Sequence, residues 1–266
     1  MALSETQTTG GDRDNSTPLP LWQAYWDYAT DCWQRNVLFL DVMRQRGNQY
    51  LEHAAKPVQH VLRYDFEKVM DGRELARPVN YGLVRVVPPD DVEVDENKRP
   101  FVVVDPRAGH GPGVGGFKPD SQVGAILNAG HPCYFIGFLT EPMPGQTIED
   151  IGRAELAFLE RVKELHPSTE GKPCVIANCQ AGWAIMMLAA VAPDAMGPLL
   201  IAGSPLSYWA GVRGKDPMRY TGGLLGGTWL TTFAGDIGNG IFDGAHLVDN
   251  FENLNPANTL WGKHYN

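Results

Sequence analysis

PCVIANCQAGWAIMMLAAVA, residues 173–192, is the stretch on which the reading of this chain turns. A short apolar run, Cys174 to Ala177, leads straight into Asn178-Cys179-Gln180-Ala181-Gly182, and a helix-compatible segment, 184–192, follows at once. Strand, sharp turn with a nucleophile at its tip, then helix is the build of a nucleophile elbow. Strand and helix backbones pass very close at such a turn, so small residues are needed two places before and two after the nucleophile. Here those places hold Ala177 and Ala181, with Gly182 adjacent, and the nucleophile is Cys179. A side chain at the tip stands above the sheet, where the N-terminus of the following helix favours negative charge. The Gln180 N–H then faces an oxyanion forming on an acyl group attached to Cys179. A lone cysteine at a strand end is more often simple packing. That is how Cys133 and Cys174, inside strands, and Cys32, on a helix stripe, are read.

Working outward, strand and helix patterns alternate. Val79–Val87 reads as a strand and ends at Pro88-Pro89. Phe101–Asp105 is a continuous apolar run of the kind buried on both faces. A glycine-rich loop, GHGPGVGGF (109–117), precedes a helix over 121–129. Cys133–Phe138 is the next strand, Ile148–Leu165 an amphipathic helix, and Leu199–Ala202 one more strand after the elbow. This alternation predicts a mostly parallel sheet with helices on both faces, an α/β fold of the α/β-hydrolase type.

The organisation read from the chain is a disordered N-terminus (1–20), an N-terminal helical segment (21–71), the core (72–203) and an incomplete cap or lid (204–266). In the helical segment Trp22, Tyr25, Trp26, Ala29, Trp33, Val37, Leu40 and Met43 recur at three- and four-residue steps, marking a long helix to about His53. Its aromatic face either packs on the main domain or docks onto a partner. A second, shorter helix is expected over 58–70.

The glycine-rich loop lies where α/β-hydrolases carry the backbone that completes an oxyanion hole. The N–H groups of His110 and Gly111 are assigned that role beside Gln180, against the alternative of a flexible surface loop. Gly111, Gly113 and Gly116 also match a dinucleotide fingerprint. However, six residues separate Val104 from Gly111 and Pro119 precedes any helix, so the match is set aside. The hydrolase order is nucleophile, acid, histidine. After Cys179 only His246 and His264 remain, with Asp236, Asp243 and Asp249 nearby. Only one further strand is legible there, so the acid and base are expected beyond residue 266, with His246 a weak candidate within it.

Bulk properties bound the partners. The chain has 266 residues, 43% hydrophobic and 20% charged, as in ordinary globular proteins. A net charge of −9 without a basic cluster argues against nucleic acid. No apolar run approaches the roughly 20 residues of a membrane helix, and the N-terminus lacks a signal-peptide centre. Four scattered cysteines without CxxC pairs suit reduced thiols and a cytoplasmic location, with no metal.

ANCQAGW (177–183) resembles the G-x-C-x-G-G box of polyhydroxyalkanoate synthases, with both flanking positions changed to Ala. The run 119–151, in which a helix ending in Gly-His leads to a strand, and GPLLIAGSPLSYW (197–209) resemble synthase segments on either side of it. Nearly the whole chain, including WQRNVLFLDVMRQRGNQYLEHAA (33–55), resembles the DUF3141 family, a polyhydroxyalkanoate synthase-like group. Its members are longer than 266 residues, which implies that the chain stops before the catalytic Asp and His. The resemblance implies acyl transfer from 3-hydroxyacyl-CoA to Cys179, with no cofactor beyond the acyl-CoA substrate. It also leaves open a Cys-dependent hydrolase of acyl esters or thioesters, and a catalytically silent protein that binds a granule or partner. Expected partners are an acyl-CoA or acyl ester, with a hydrophobic polymer granule and a second copy of the chain as further candidates.

Overall fold

The computed structural model describes residues 20–56, 59–108, 111–169, 171–207, 229–242 and 244. The chain divides into two compact units, Met1–Pro57 and Val58–Asn266. Much of 204–266, including Asp243, His246, Asp249 and His264, lies outside the described residues, as do residues 1–19.

Among the described residues the first unit contains one helix, α1, Leu21–Ala54. Pairs at helical spacing support it, Arg35 with Asp31 and Arg44 with Asp41. Trp22, Trp26 and Trp33 are exposed by 65%, 62% and 68%. Cys32, read as a packing residue, is exposed as well. Among the described residues no helix is long and apolar enough to cross a membrane.

The second unit is built on a six-stranded sheet. In chain order the elements are β1 (Phe66–Asp71), β2 (Tyr81–Val86), β3 (Phe101–Val104), α2 (Gln122–Asn128), β4 (Cys133–Phe138), α3 (Ile148–Leu165), β5 (Cys174–Asn178), α4 (Gln180–Val191), β6 (Leu199–Ala202) and α5 (Trp229–Ile237). The strands lie in the order β1-β2-β4-β3-β5-β6. Strands β4, β3, β5 and β6 run parallel, whereas β2 is antiparallel to β4 and β1 to β2. The parallel part is the one predicted from the alternating strands and helices.

Residues 66–71 form strand β1 and not the short helix expected over 58–70. No two- or three-to-four-residue period marks FEKVMD. Pairing with β2 decides its conformation, and the register breaks between Lys68 and Met70, which blurs the alternation further. The sheet therefore begins inside the span assigned to the helical segment.

Period-two alternation splits each parallel strand between two cores. Val102 and Val104 face one side with Tyr134, Ile136, Val175 and Ala177, packed by Phe158 and Leu159 of α3 and Ile185 and Leu188 of α4. Val103, Phe135 and Ile176 face the other, packed by Val123, Ile126 and Leu127 of α2. Helix α3 starts at a capping box, Thr147 accepting from the Asp150 N–H while the Asp150 carboxylate accepts from that of Thr147. Both faces of the parallel strands are thus covered, and the C-terminal ends of β3 and β5 lie side by side.

Candidate active site

Strand β5 ends at Asn178, and the chain turns into α4 through a single residue, Cys179, at φ 47° and ψ −119°. A non-glycine residue at positive φ and this ψ is strained, and such strain persists only where the surroundings hold it. The holding contacts are visible. The Cys179 N–H donates to the Ala202 carbonyl at 2.8 Å, and the Gly182 N–H donates back to the Cys179 carbonyl at 3.0 Å. Ala177 and Ala181 are buried. Gly182 has no room for more, since a Cβ there would lie 1.8 Å from Ser204 Oγ and 2.5 Å from Ser204 Cβ. At Gly182 the space is set by the Ser204 and Ile201 side chains at the end of β6. Of the cysteines, Cys133 and Cys174 are buried in the core and Cys179 is half-buried. Burial pushes the Cys133 and Cys174 thiols up, away from thiolate chemistry.

Gln180 opens α4, so its N–H belongs to the first turn, whose donors have no intrahelical acceptor. The second piece of the site is the loop after β3. Asp105 is 2% exposed and its carboxylate accepts three backbone N–H groups, from Arg107 at 2.8 Å, Gly113 at 2.7 Å and Val114 at 3.1 Å. Burial raises the Asp105 carboxyl, opposed by those three backbone donors. The carboxylate thus ties Arg107, Gly113 and Val114 to the end of β3.

His110, assigned to the oxyanion hole, lies outside the described residues. Gly111 and Gly113 are explained by packing within the protein. A Cβ on Gly111 would meet the Gln59 carbonyl at 2.6 Å, and one on Gly113 the Leu62 nitrogen at 2.3 Å. Val61 N–H donates to Pro112 O, and Arg63 N–H to Gly116 O. The close approach these glycines permit is thus to residues 59–63. The fingerprint spacing has the same cause, because a Cβ on Gly116 would press Leu62 at 2.4 Å. From this loop Gly115 reaches the elbow strand, its Cβ position lying 3.3 Å from Asn178 Nδ2.

A cavity of about 940 Å³ lies between the start of this loop, α3 and α4, and Gln180 and Ala181 but not Cys179 line it. Asp105, Pro106 and Arg107 of the loop, Ile148, Ile151 and Leu156 of α3, and Trp183, Met187 and Val191 of α4 are among its lining residues. Two of its residues escaped the sequence reading. Arg107, at φ 53°, donates from Nη1 to Asn80 Oδ1 at 3.2 Å and stacks over Tyr81 and Phe138, at 5.3 and 5.7 Å from the ring centres. Glu155 of α3 is 2% exposed, and its Oε2 has no hydrogen-bond partner among the described residues. Burial pushes its carboxyl up to about 8.

The strand order and the helices on both faces give the second unit an α/β-hydrolase-like fold, with Cys179 at a strained turn between strand and helix. The chain belongs to the family described as protein of unknown function DUF3141, whose model matches residues 31–266. It is 65% identical over 248 residues to an uncharacterised protein in the ackA 5' region of Rhizobium meliloti, covering 93% of this chain and 34% of that protein. The chain thus spans about a third of the length of that curated relative. Among solved structures it is similar to MGS-M1, an α/β hydrolase from a Medee basin deep-sea metagenome library. That likeness has 15% identity and a TM-score of 0.36, over 57% of this chain and 60% of that one. It is also similar to 2-hydroxy-6-oxo-6-phenylhexa-2,4-dienoate hydrolase from Rhodococcus sp. strain RHA1. There the identity is 14% and the TM-score 0.32, over 53% of this chain and 47% of that one.

Proposed function

We propose that this chain carries the nucleophile of an acyl-transfer enzyme, with Cys179 as the residue that is acylated. The observation that supports it best is the backbone of Cys179, a strained non-glycine turn between β5 and α4 carrying a half-buried thiol. In the first step the Cys179 sulfur attacks the thioester carbonyl of an acyl-CoA. The Gln180 N–H meets the oxyanion, the carbon–sulfur bond to CoA breaks, and the CoA thiol leaves with the proton. A thioester replaces a thioester, so the step is near-balanced in free energy. In the second step a hydroxyl takes the acyl group and its proton passes back to Cys179. The resemblance to polyhydroxyalkanoate synthases supports 3-hydroxyacyl-CoA as the donor and the hydroxyl of a further 3-hydroxyacyl unit as the acceptor. Water as acceptor gives the corresponding thioesterase.

The test is covalent. This chain and the full-length Rhizobium meliloti relative are incubated with isotope-labelled 3-hydroxyacyl-CoA, digested and analysed by mass spectrometry. The expected result is the acyl mass on the peptide containing Cys179 and its loss in Cys179→Ala. Labelling elsewhere alone, or none in either protein, overturns the reading. Oligomeric ester as product identifies transfer to a hydroxyl, and free acid identifies hydrolysis.

A further inference from the structure

A second cavity, of about 610 Å³, lies over the antiparallel edge of the sheet, in the size range of small-molecule sites. Its lining includes two glycines inside strands. Gly82 of β2 and Gly137 of β4 stand opposite each other, and Val84 and Phe135 form the next pair on the same face. A glycine weakens a strand, and in a strand interior it often marks the close approach of a ligand or another backbone. Neither glycine has a positive φ, so no turn requires it. Nor does packing require Gly82. A Cβ there would have only the Met70 carbonyl oxygen within 4 Å, at 3.4 Å, an ordinary contact. One on Gly137 would touch the Phe135 ring and Pro112 Cβ at 3.3 Å, side-chain contacts without a backbone clash. Gly111, Gly113 and Gly182 differ, because other parts of the protein fill the space beside them. The space over Gly82 and Gly137 belongs to the cavity.

We infer that this cavity binds a flat aromatic ring bearing a carboxylate, with the ring on the Gly82–Gly137 backbone and the carboxylate against Lys68. Two opposed strand residues without side chains leave a level floor, and Phe135 and Phe138 on the lining suit the face or edge of a ring. The charges favour an anion. Arg73 and Asp71 satisfy each other, the Arg73 N–H, Nε and Nη2 all donating to the Asp71 carboxylate. Lys68, opposite Val84 on β1, has its Nζ 3.9 Å from Asp71 Oδ2 and 3.7 Å from Glu74 Oε1, both beyond hydrogen-bond length. Its ammonium therefore has donors to give a carboxylate. Glu141 also lines the cavity, so a ring bearing an amine is the competing ligand. No residue of the elbow lines this cavity, and the inference is independent of the chemistry of Cys179.

The test titrates the full chain with three probes by calorimetry at neutral pH: naphthalene-2-carboxylate, the neutral naphthalene-2-carboxamide, and the cationic 2-naphthylmethylamine. The carboxylate is expected to bind about threefold or more tighter than the other two, the worth of one exposed ion pair. Lys68→Met should remove that preference and leave the carboxamide unchanged. Gly82→Val should weaken all three about tenfold or more by crowding the floor. The same variant should melt at or above the parent's temperature, since valine favours a strand and glycine does not. Absence of saturable binding, a preference for the amine, or a carboxylate preference that survives Lys68→Met overturns the inference. So does Gly82→Val that binds like the parent, or that melts clearly below it, for the glycine would then serve the fold and not a ligand.

Discussion

Asn178 and Gln122 exchange both of their amide hydrogen bonds, Gln122 Nε2 donating to Asn178 Oδ1 at 2.9 Å and Asn178 Nδ2 to Gln122 Oε1 at 2.7 Å. Asn178 is the last residue of β5, directly before the strained turn, and Gln122 is the first of α2, five residues past the end of the glycine-rich loop. The pair ties the two loops of the site across the end of the sheet. Each amide satisfies the other, so removing one strands its partner. Gln122→Ala and Asn178→Ala should each lower stability by about 1–3 kcal/mol. The double variant should cost clearly less than the sum, because the second truncation has no bond left to break. Urea denaturation of the four proteins measures this, and strict additivity would remove the pair from any role in holding the elbow.

Gly182 and Ser204 are in similar opposition. The missing Cβ of Gly182 is the space that Ser204 occupies after β6, so Gly182→Ala forces the two segments apart. A loss of about 1–3 kcal/mol is expected, the usual cost of overpacking. Ser204→Gly removes the nearest clashing atoms and should recover part of it, though Ile201 Cγ2 at 2.9 Å remains. Thermal melts of the single and double variants supply the comparison.

Strain at the nucleophile predicts a gain in stability on its removal. A non-glycine residue in so unfavourable a backbone conformation costs about 1–3 kcal/mol. Glycine relieves that cost and gives back less than 1 kcal/mol through its freer unfolded chain. Cys179→Gly should therefore be about 1 kcal/mol more stable than the parent while accepting no acyl group. A melting temperature at or below the parent's would mean that the turn is relaxed by something other than its neighbours.

Much of this architecture was legible because buried parallel strands announce themselves. FVVV, CYFIGF and CVIAN have no polar interruption before their final turn, and the helices between them carry the right period. FEKVMD was not legible, since an edge strand with three exposed residues is held by its neighbour more than by its own pattern. At the site, Cys179 stood out through the small residues around it. Arg107 did not, because a loop has no period against which an arginine stands out. Glu155 did leave a signal, a carboxylate on the buried stripe of IEDIGRAELAFLERVKEL, hidden by the ordinary abundance of glutamate in helices. The glycines of 111–116 have a physical reason that the sequence alone does not give. Sequence shows that the backbone comes close to something there, and only the fold shows that the neighbour is residues 59–63.

The same Glu155 sets a pH dependence of stability whose sign is opposite to that of most acids. Burial raises its folded-state value from the usual 4.5 to about 8. Between those values the folded protein holds a proton that the unfolded chain has released. Linkage then makes stability fall as pH rises across that interval, and level off once the buried carboxyl has ionised. Tyr81, Asp105, Arg107, Glu149 and Arg153 line the same cavity; burial holds Tyr81 and Asp105 toward their neutral forms, while Arg107 is bonded to Asn80 and Arg153 to Glu149. Urea midpoints measured from about pH 5 to about pH 8 should decline in the parent. In Glu155→Gln, where nothing titrates at that position, the decline should be much shallower. A parent curve that rises through this window, or two curves of equal slope, would mean that the Glu155 carboxyl meets solvent or a cationic partner in solution.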